Sequence, residues 1–167
     1  MSKYTTHYIS GTHWDREWYR PYQEYRVLLV RLMDELLDVM ETKEDFKFFQ
    51  LDGQTCVLED YLEIRPENRE RLAKLIEERR ILIGPWYTMP DLFCPDDESL
   101  IRNLLLGRRI SHEWNTEPMS VGFVCDMFGH PSMMPQIFSG FDINDAVLGR
   151  GTNEGDTDMF FDWVSSD

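Results

Sequence analysis

Apolar residues recur along the chain with a helical period in some segments and a strand period in others. Residues 25–41, which include VLLVRLMDELLDVME, place apolar side chains three and four positions apart. This spacing is typical of a helix with one face in the core. Related patterns predict further helices over residues 57–64, 66–80, 96–114 and 135–141.

Short apolar or alternating runs lie between these helices and predict β-strands. The first covers residues 4–12, where aromatic or β-branched residues alternate with small ones. The other predicted strands are residues 47–51, 81–87, 120–125, 146–148 and 160–167. Strands and helices therefore alternate, which is the pattern of parallel βαβ units. No linker or repeat interrupts it, so the prediction is one α/β domain over residues 1–167.

The charge of the chain excludes two classes of partner. Its 31 acidic and 17 basic side chains give a formal net charge of -14, which repels nucleic acid and anionic membranes. Cys56, Cys94 and Cys125 are an odd number without CxxC spacing, which disfavours a disulfide scaffold. The sequence also lacks an export signal and a membrane-spanning apolar run. A cytoplasmic protein is therefore expected.

Polar and aromatic side chains follow each of the first five predicted strands. In parallel α/β folds, ligands bind at the carboxyl ends of the strands, where the loops converge. The residues at these ends are His13, Asp15, Trp18, Asp52, Gln54, Trp86, Tyr87, Asp91, Asp126, Phe128, His130 and Arg150. Surface loops supply Gly, Asn, Ser and Lys far more often, so the functional site is predicted at these ends.

His13 and Asp15 have the spacing of two metal ligands. In an extended segment, residues two apart point the same way, so an imidazole nitrogen and a carboxylate oxygen can reach one divalent ion. A turn histidine beside a solvated aspartate is the simpler interpretation of this tripeptide alone. Asp126 changes the balance, because a carboxylate ending an apolar strand needs compensation. The candidates are a metal ion, Arg150 and a helix N-terminus.

Three aromatic residues, Trp18, Trp86 and Phe128, lie at the same strand ends. For any one of them, a place in the core is the simpler interpretation. Together, beside carboxylates, they resemble a sugar-binding surface, because a pyranose offers an apolar face for stacking and hydroxyls for hydrogen bonds. Two interpretations of His130 stay open: it orients Asp126, or it simply ends the loop.

Five stretches of the chain, taken in order, resemble the N-terminal catalytic region of the family 38 glycoside hydrolases, the α-mannosidases. They are HWDREW, GPWYTMPD, SLIRNLLLG, CDMFGHPSMMPQI and VLGRG. The sequence THWDREWY is most similar to the bacterial cytoplasmic branch, which includes α-mannosidases and mannosylglycerate hydrolases. The resemblance implies a seven-stranded parallel β/α barrel, of which this chain is the N-terminal portion. It also implies a catalytic zinc or similar ion and hydrolysis of terminal α-mannosides with retention of configuration.

The resemblance assigns roles to individual residues. His13 and Asp15 match the first two metal ligands, and Asp126 matches the nucleophilic aspartate, which also binds the metal. The residue types suit retaining hydrolysis, because one carboxylate attacks C1 and a second carboxyl group protonates the leaving oxygen. The implied substrate-binding residues are Trp18 beneath the sugar, Arg150 near the nucleophile and Phe128 at the pocket wall.

Two parts of the family's site have no match in this chain. A further histidine ligand and the acid/base carboxylate lie downstream of residue 167 in the family. The rest of the catalytic chain is therefore an expected partner, and weak or absent turnover is expected of the 167 residues alone. Zinc is the expected metal, with manganese or cobalt as alternatives for oxygen-rich ligation. Truncation of a barrel would expose strand edges that invite self-association, which is compatible with a homo-oligomer.

Two other functions fit the same residues. A metal-dependent polysaccharide deacetylase shares a barrel with His and Asp ligands but uses a metal-bound water as nucleophile. A non-catalytic carbohydrate-binding fragment would use Trp18 and Trp86 as stacking surfaces. A covalent sugar adduct on Asp126 excludes the first alternative, and sugar binding that survives the loss of Asp15 identifies the second.

Overall fold

The computed structural model describes residues 3–153, 155 and 157–165. Its strands are β1 (Gly11–Thr12), β2 (Phe49–Leu51), β3 (Ile81–Leu82), β4 (Gly122–Val124) and β5 (Ala146–Leu148). Its helices are α1 (Tyr22–Thr42), α2 (Cys56–Leu62), α3 (Arg69–Glu77), α4 (Asp97–Glu113) and α5 (Met134–Ser139), with a 3-10 helix (Pro66–Asn68) before α3. Within the described residues, no helix has the length and apolar character needed to cross a bilayer.

The strands form two parallel sheets. β1, β2 and β3 pair in that order, with Gly11 opposite Gln50 and Gln50 opposite Leu82. β4 and β5 form the second sheet, with Phe123 opposite Val147. At least one helix lies between each strand and the next, because a parallel pair needs a crossover connection. The predicted α/β fold with parallel strands is therefore confirmed.

Five of the six predicted strands are shorter than their sequence patterns or absent from the described residues, and three of them differ most. The first begins only at Gly11, and the preceding Tyr8 is 90% exposed. The third ends at Leu82, before the sequence Gly84-Pro85. The predicted strand over residues 160–167 is wrong for 160–165, and its last two residues lie outside the described part of the chain. Side-chain alternation favours a strand only where a neighbouring backbone completes the hydrogen-bonded ladder, and the pattern carries no information on that neighbour.

A helical layer packs on the first sheet. α1 buries Leu29, Met33, Leu37 and Met40, which lie four, four and three positions apart. These side chains belong to a larger apolar cluster that also contains Leu51, Tyr61, Leu72, Ile76 and Ile81. Burying one leucine or methionine side chain contributes about 1.5–3 kcal/mol, so this cluster holds β2 and β3 firmly against the helices.

Trp86 joins the two sheets. Its indole N–H donates to the carbonyl oxygen of Phe123 in β4 over 2.8 Å, and its backbone N–H donates to the Gly53 carbonyl oxygen over 3.0 Å. Its ring packs edge to face against Phe138 of α5, with ring centroids 5.8 Å apart. β3 and β4 share no ladder in the part of the chain that the structure describes. The contacts of Trp86 connect the two sheets without a shared ladder.

Helix α4 lies directly against the backbone that follows β3. Asn103 donates to the Thr88 carbonyl oxygen over 2.7 Å and accepts the backbone N–H groups of Tyr87 and Thr88 over 2.8 and 3.1 Å. One turn further on, Gly107 faces the same backbone. A β-carbon there would collide with the carbonyl oxygen of Pro85 and lie 2.7 Å from the nitrogen of Tyr87. This close approach therefore requires glycine.

Gly107→Ala is expected to destabilise the chain by about 1–3 kcal/mol, because the added methyl group overpacks this contact. Alanine is better than glycine inside a helix by about 0.5–1 kcal/mol, so the backbone contact reverses the usual sign. Urea unfolding measures the change. Gly140→Ala is the matched control, since the added carbon there has no contact shorter than 3.3 Å. Unchanged stability at position 107 would contradict the described packing.

Candidate metal centre

The carboxyl ends of β1 and β4 meet, although the two strands belong to different sheets. His13 and Asp15 follow β1, and Asp126 follows β4. His13 Nε2 lies 3.3 Å from Asp126 Oδ2 and 3.6 Å from Asp15 Oδ1. One ligand atom from each of the three residues lies within 4.8 Å of the others. In a tetrahedral zinc site with bonds of about 2.1 Å, the ligand atoms lie about 3.4 Å apart, so two of these distances already suit an ion.

The charge around this cluster is negative. Asp15, Asp52 and Asp126 supply three carboxylates, while Arg150 supplies one guanidinium, with Nε 2.8 Å from Asp126 Oδ1. When His13 is neutral, three negative charges against one positive charge leave two uncompensated. A divalent cation balances them, and a donor set of nitrogen and carboxylate oxygen suits zinc, manganese or cobalt. The residues present therefore fit such an ion.

Arg150 reaches Asp126 because the segments after β4 and β5 remain in contact. The backbone N–H of Arg150 donates to the carbonyl oxygen of Cys125 over 2.9 Å. Gly149 permits this approach, since a β-carbon there would collide with the same oxygen. The guanidinium also lies over the ring of Phe128, 5.0 Å from its centroid. Arg150 is thus the cation that the sequence predicts beside Asp126.

The other nitrogen of His13 faces a second carboxylate. Nδ1 lies 3.0 Å from Oδ2 and 3.2 Å from Oδ1 of Asp52, which follows β2. Asp52 also accepts the backbone N–H of Trp14 over 2.6 Å and the side-chain amide of Gln54 over 3.1 Å. Burial lowers the pKa of His13, but the three surrounding carboxylates raise that pKa by more, so it lies above its ordinary value. Burial raises the pKa of Asp52, against the opposing effect of the hydrogen bonds that it accepts.

The loop that carries His13 and Asp15 is anchored by Arg16. Nε and Nη2 of Arg16 donate to the two carboxylate oxygens of Asp60 in α2, each over 2.8 Å. The hydroxyl of Tyr22 donates to the same carboxylate over 2.7 Å. Asp60 is buried, and its hydrogen bonds raise the pKa of Arg16 above the ordinary value. This bidentate pair fixes the loop on α2, since charge-assisted pairs of this geometry are strong and directional.

Two of the predicted sugar-binding aromatic residues lie on the surface. Trp18 is 71% exposed and Phe128 is 63% exposed. Trp18 lies in the loop after β1 that also carries His13 and Asp15. Phe128 contacts the guanidinium of Arg150, which in turn contacts Asp126. Both rings present apolar surface to solvent, as stacking against a sugar requires.

Trp86 does not lie on that surface. The ring is fully buried, and its N–H is donated to Phe123. The prediction that Trp86 binds substrate is therefore wrong. A ring enclosed by the core has no face left for a sugar, and its position after β3 reflects its role in joining the sheets.

His130 contacts Arg150 rather than Asp126. Its Nε2 lies 2.8 Å from the carbonyl oxygen of Arg150, and its ring packs edge to face against Trp163 with centroids 5.5 Å apart. The helix N-terminus proposed as a partner of Asp126 is also excluded, because α5 begins only at Met134. His130 therefore contacts the segment that carries Arg150, whose guanidinium in turn contacts Asp126.

Three residues that support the site were not assigned that role from the sequence: Asp52, Gln54 and Asp60. Gln54 donates to the carbonyl oxygen of Trp14 over 2.8 Å and accepts the N–H of Met89 over 3.2 Å, so it links the loops after β1 and β3. The position of Asp52 and Gln54 after a predicted strand indicated where they lie, but not what they bind. Nothing in the helical pattern distinguishes Asp60 from an exposed acidic residue.

A parallel α/β fold with a His/Asp cluster at the carboxyl ends of its strands defines the class of the protein. The chain belongs to glycosyl hydrolase family 38. The profile described as "Glycosyl hydrolases family 38 N-terminal domain" matches residues 3–167. The resemblance inferred from the sequence motifs is thus confirmed.

Several known proteins are similar to this chain. A protein of Halalkalibacterium halodurans named "Putative mannosylglycerate hydrolase" is 43% identical over 149 residues, which are 89% of this chain and 17% of that protein. An α-mannosidase of Saccharomyces cerevisiae is 28% identical over 80% of this chain and 13% of its own length. The crystal structure of an α-mannosidase from Enterococcus faecalis matches 87% of this chain and 16% of that one, with a TM-score of 0.84 and 40% identity. The chain therefore spans a small part of each relative.

Trp86→Phe is expected to destabilise the chain by about 1–3 kcal/mol, because the buried carbonyl oxygen of Phe123 loses its indole donor. Trp18→Phe is the matched control, and its effect on the free energy of unfolding should stay within about 0.5 kcal/mol because the ring is exposed. Chemical denaturation of both variants measures the difference. Equal midpoints would show that the indole hydrogen bond does not join the sheets.

Proposed function

We propose that the protein is a metal-dependent α-mannosidase that hydrolyses terminal α-mannosides with retention of configuration. The observation that carries this proposal is the convergence of His13, Asp15 and Asp126 at the strand ends of a family 38 chain. The relatives named as α-mannosidases and as a mannosylglycerate hydrolase support the substrate class.

The proposed metal ligands are His13 through Nε2 and the carboxylates of Asp15 and Asp126. The distances between their ligand atoms and the surplus of negative charge support this assignment. When bound, the ion supplies a Lewis acid for the sugar hydroxyls. Zinc is the proposed metal, with manganese or cobalt as alternatives, because two of the three ligands are carboxylates.

Asp126 is the proposed nucleophile. One of its oxygens forms a bond to C1 of the mannoside while the bond from C1 to the leaving oxygen breaks, and a general acid protonates that oxygen. Water then forms a bond to C1 and gives a proton to the former general acid, which now acts as a base, while the bond from C1 to the carboxylate breaks. This restores the free aspartate, the general acid and the original configuration. The hydrogen bond from Arg150 to Oδ1 supports this role, since it fixes the orientation of the carboxylate.

Trp18, Phe128 and Arg150 are the proposed substrate-binding residues. The exposed rings of Trp18 and Phe128 support stacking against the apolar face of the sugar. Arg150 lies against both Phe128 and the proposed nucleophile, so it is placed to donate hydrogen bonds to a bound sugar hydroxyl.

Residues 1–167 are proposed to be the N-terminal part of a seven-stranded β/α barrel domain. The general acid and a further histidine ligand are assigned to the rest of the catalytic chain. The odd number of free thiols supports a cytoplasmic location. Exposed apolar side chains before β1, such as Tyr8 and Ile9, support self-association of the isolated chain as a homo-oligomer.

Zinc is expected to stabilise the chain and the variant Glu17→Ala, but not Asp15→Ala. Both substitutions remove one carboxylate from the same loop, and only Asp15 belongs to the cluster. At a free zinc concentration of 100 times Kd, the stabilisation should reach about 2.7 kcal/mol. Thermal unfolding with zinc and with a chelator, together with elemental analysis, measures the effect. Equal zinc responses in the two variants would contradict the ligand assignment.

A fluorinated mannosyl fluoride that slows deglycosylation is expected to label Asp126 in the complete catalytic chain. Fluoride leaves readily, so the step tests the nucleophile and depends little on the general acid. Mass spectrometry of proteolytic peptides should locate one sugar adduct on the peptide containing Asp126, and Asp126→Asn should abolish it. Substrate turnover without any adduct would instead favour a deacetylase-like mechanism with a water nucleophile. Sugar binding that survives both chelation and Asp15→Ala would favour the non-catalytic alternative.

A further inference from the structure

The two ring nitrogens of His13 face different groups. Nδ1 lies 3.0 Å from Asp52, while Nε2 faces Asp126 at 3.3 Å and Asp15 at 3.6 Å. In a neutral imidazole one nitrogen carries the proton and the other carries the lone pair. A carboxylate accepts hydrogen bonds only, and of the three carboxylates around the ring it is Asp52 that has hydrogen-bond geometry, with Oδ1 3.2 Å from Nδ1. Asp52 therefore stabilises the neutral tautomer with the proton on Nδ1. The lone pair of Nε2 then points toward the two other carboxylates.

The carboxylate of Asp52 is itself held in place. Asp52 is 1% exposed, and besides His13 it accepts the backbone N–H of Trp14 over 2.6 Å and the amide of Gln54 over 3.1 Å. The same amide of Gln54 also donates to the carbonyl oxygen of Trp14 over 2.8 Å. Of these partners, Trp14 follows β1 and Gln54 follows β2. The carboxylate therefore cannot turn away from the imidazole without breaking hydrogen bonds.

Folding stability alone does not account for this arrangement. A buried carboxylate loses its hydration, and a well-packed apolar side chain is often at least as stabilising. Its partner His13 is 41% exposed at the side chain, so the pair does not fill the core. A carboxylate behind a metal-ligating histidine fixes the tautomer and the orientation of the ring.

We propose that Asp52 is a positioning residue that selects the Nδ1–H tautomer of His13 and directs Nε2 toward Asp15 and Asp126. The consequence for metal affinity rests on the metal site proposed above. The tautomer and orientation of His13 are properties of the metal-free protein.

Asp52→Asn is the decisive variant. Asp52 has a positive φ of 53°, a conformation that asparagine also adopts readily, so the backbone is preserved. The amide oxygen takes the place of Oδ2, where it accepts the N–H groups of Trp14 and Gln54, and the NH2 group takes the place of Oδ1, 3.2 Å from His13 Nδ1. An amide donor at Nδ1 favours the tautomer with the proton on Nε2, which blocks that nitrogen as a ligand.

The matched control is Asp34→Asn. Asp34 is also a hydrogen-bonded carboxylate, but its partners are Tyr61, Arg65 and Asn68, which do not belong to the His13 cluster. This control separates the effect on the metal site from a general loss of stability. Urea unfolding of both variants verifies that each remains folded.

Two measurements test the proposal. Long-range ¹H–¹⁵N NMR of the metal-free protein, at a pH above the raised pKa of His13 so that the ring is neutral, should show the Nδ1–H tautomer of His13 in wild type and Asp34→Asn, and the Nε2–H tautomer in Asp52→Asn. Zinc affinity, measured by competition with a chromophoric chelator, should fall by about 10- to 100-fold in Asp52→Asn alone. The Nε2–H tautomer in wild type, or an unchanged tautomer in folded Asp52→Asn, would overturn the proposal. Absence of zinc binding by wild type would refute the metal site, while the NMR result would still decide the role of Asp52.

Discussion

The parallel pairing of β1 with β2 is the contact on which the site depends. Because the two strands run in the same direction, their carboxyl ends reach the same edge of the sheet. His13 therefore meets Asp52, 39 positions further along the chain, and the next backbone N–H, that of Trp14, reaches the same carboxylate. An antiparallel pair would separate these groups and leave a buried carboxylate without donors, which is costly.

The second sheet contributes the opposite wall of the site, and its position depends on packing rather than on a strand ladder. Trp86 connects the β3 segment with Phe123, and the surface of α4 at Gly107 allows that segment to lie close to the helix. The distance between His13 and Asp126 therefore depends on the buried ring of Trp86 and on the small size of Gly107. Neither residue touches the cluster, yet both hold the segments that carry it.

The sequence was sufficient for the order of elements, the parallel class and the location of the cluster, because helical periodicity and polar strand ends are local patterns. It was insufficient at Trp86, since an aromatic residue after a strand can face either a ligand or a neighbouring sheet. The length of β1 is set by its pairing with β2, which the alternation of side chains in the sequence does not reveal. Asp52 and Asp60 received no role because their partners are distant in the chain, and a carboxylate's function is set by the donors around it.

The two oxygens of Asp126 face different neighbours. Oδ1 accepts from Arg150, and Oδ2 faces His13 at 3.3 Å. Rotation of the carboxylate about its Cβ–Cγ bond would disturb both contacts at once, so the group has little torsional freedom. That freedom is lost when the chain folds rather than when a ligand arrives, and a binding partner therefore meets a carboxylate whose lone pairs already have fixed directions.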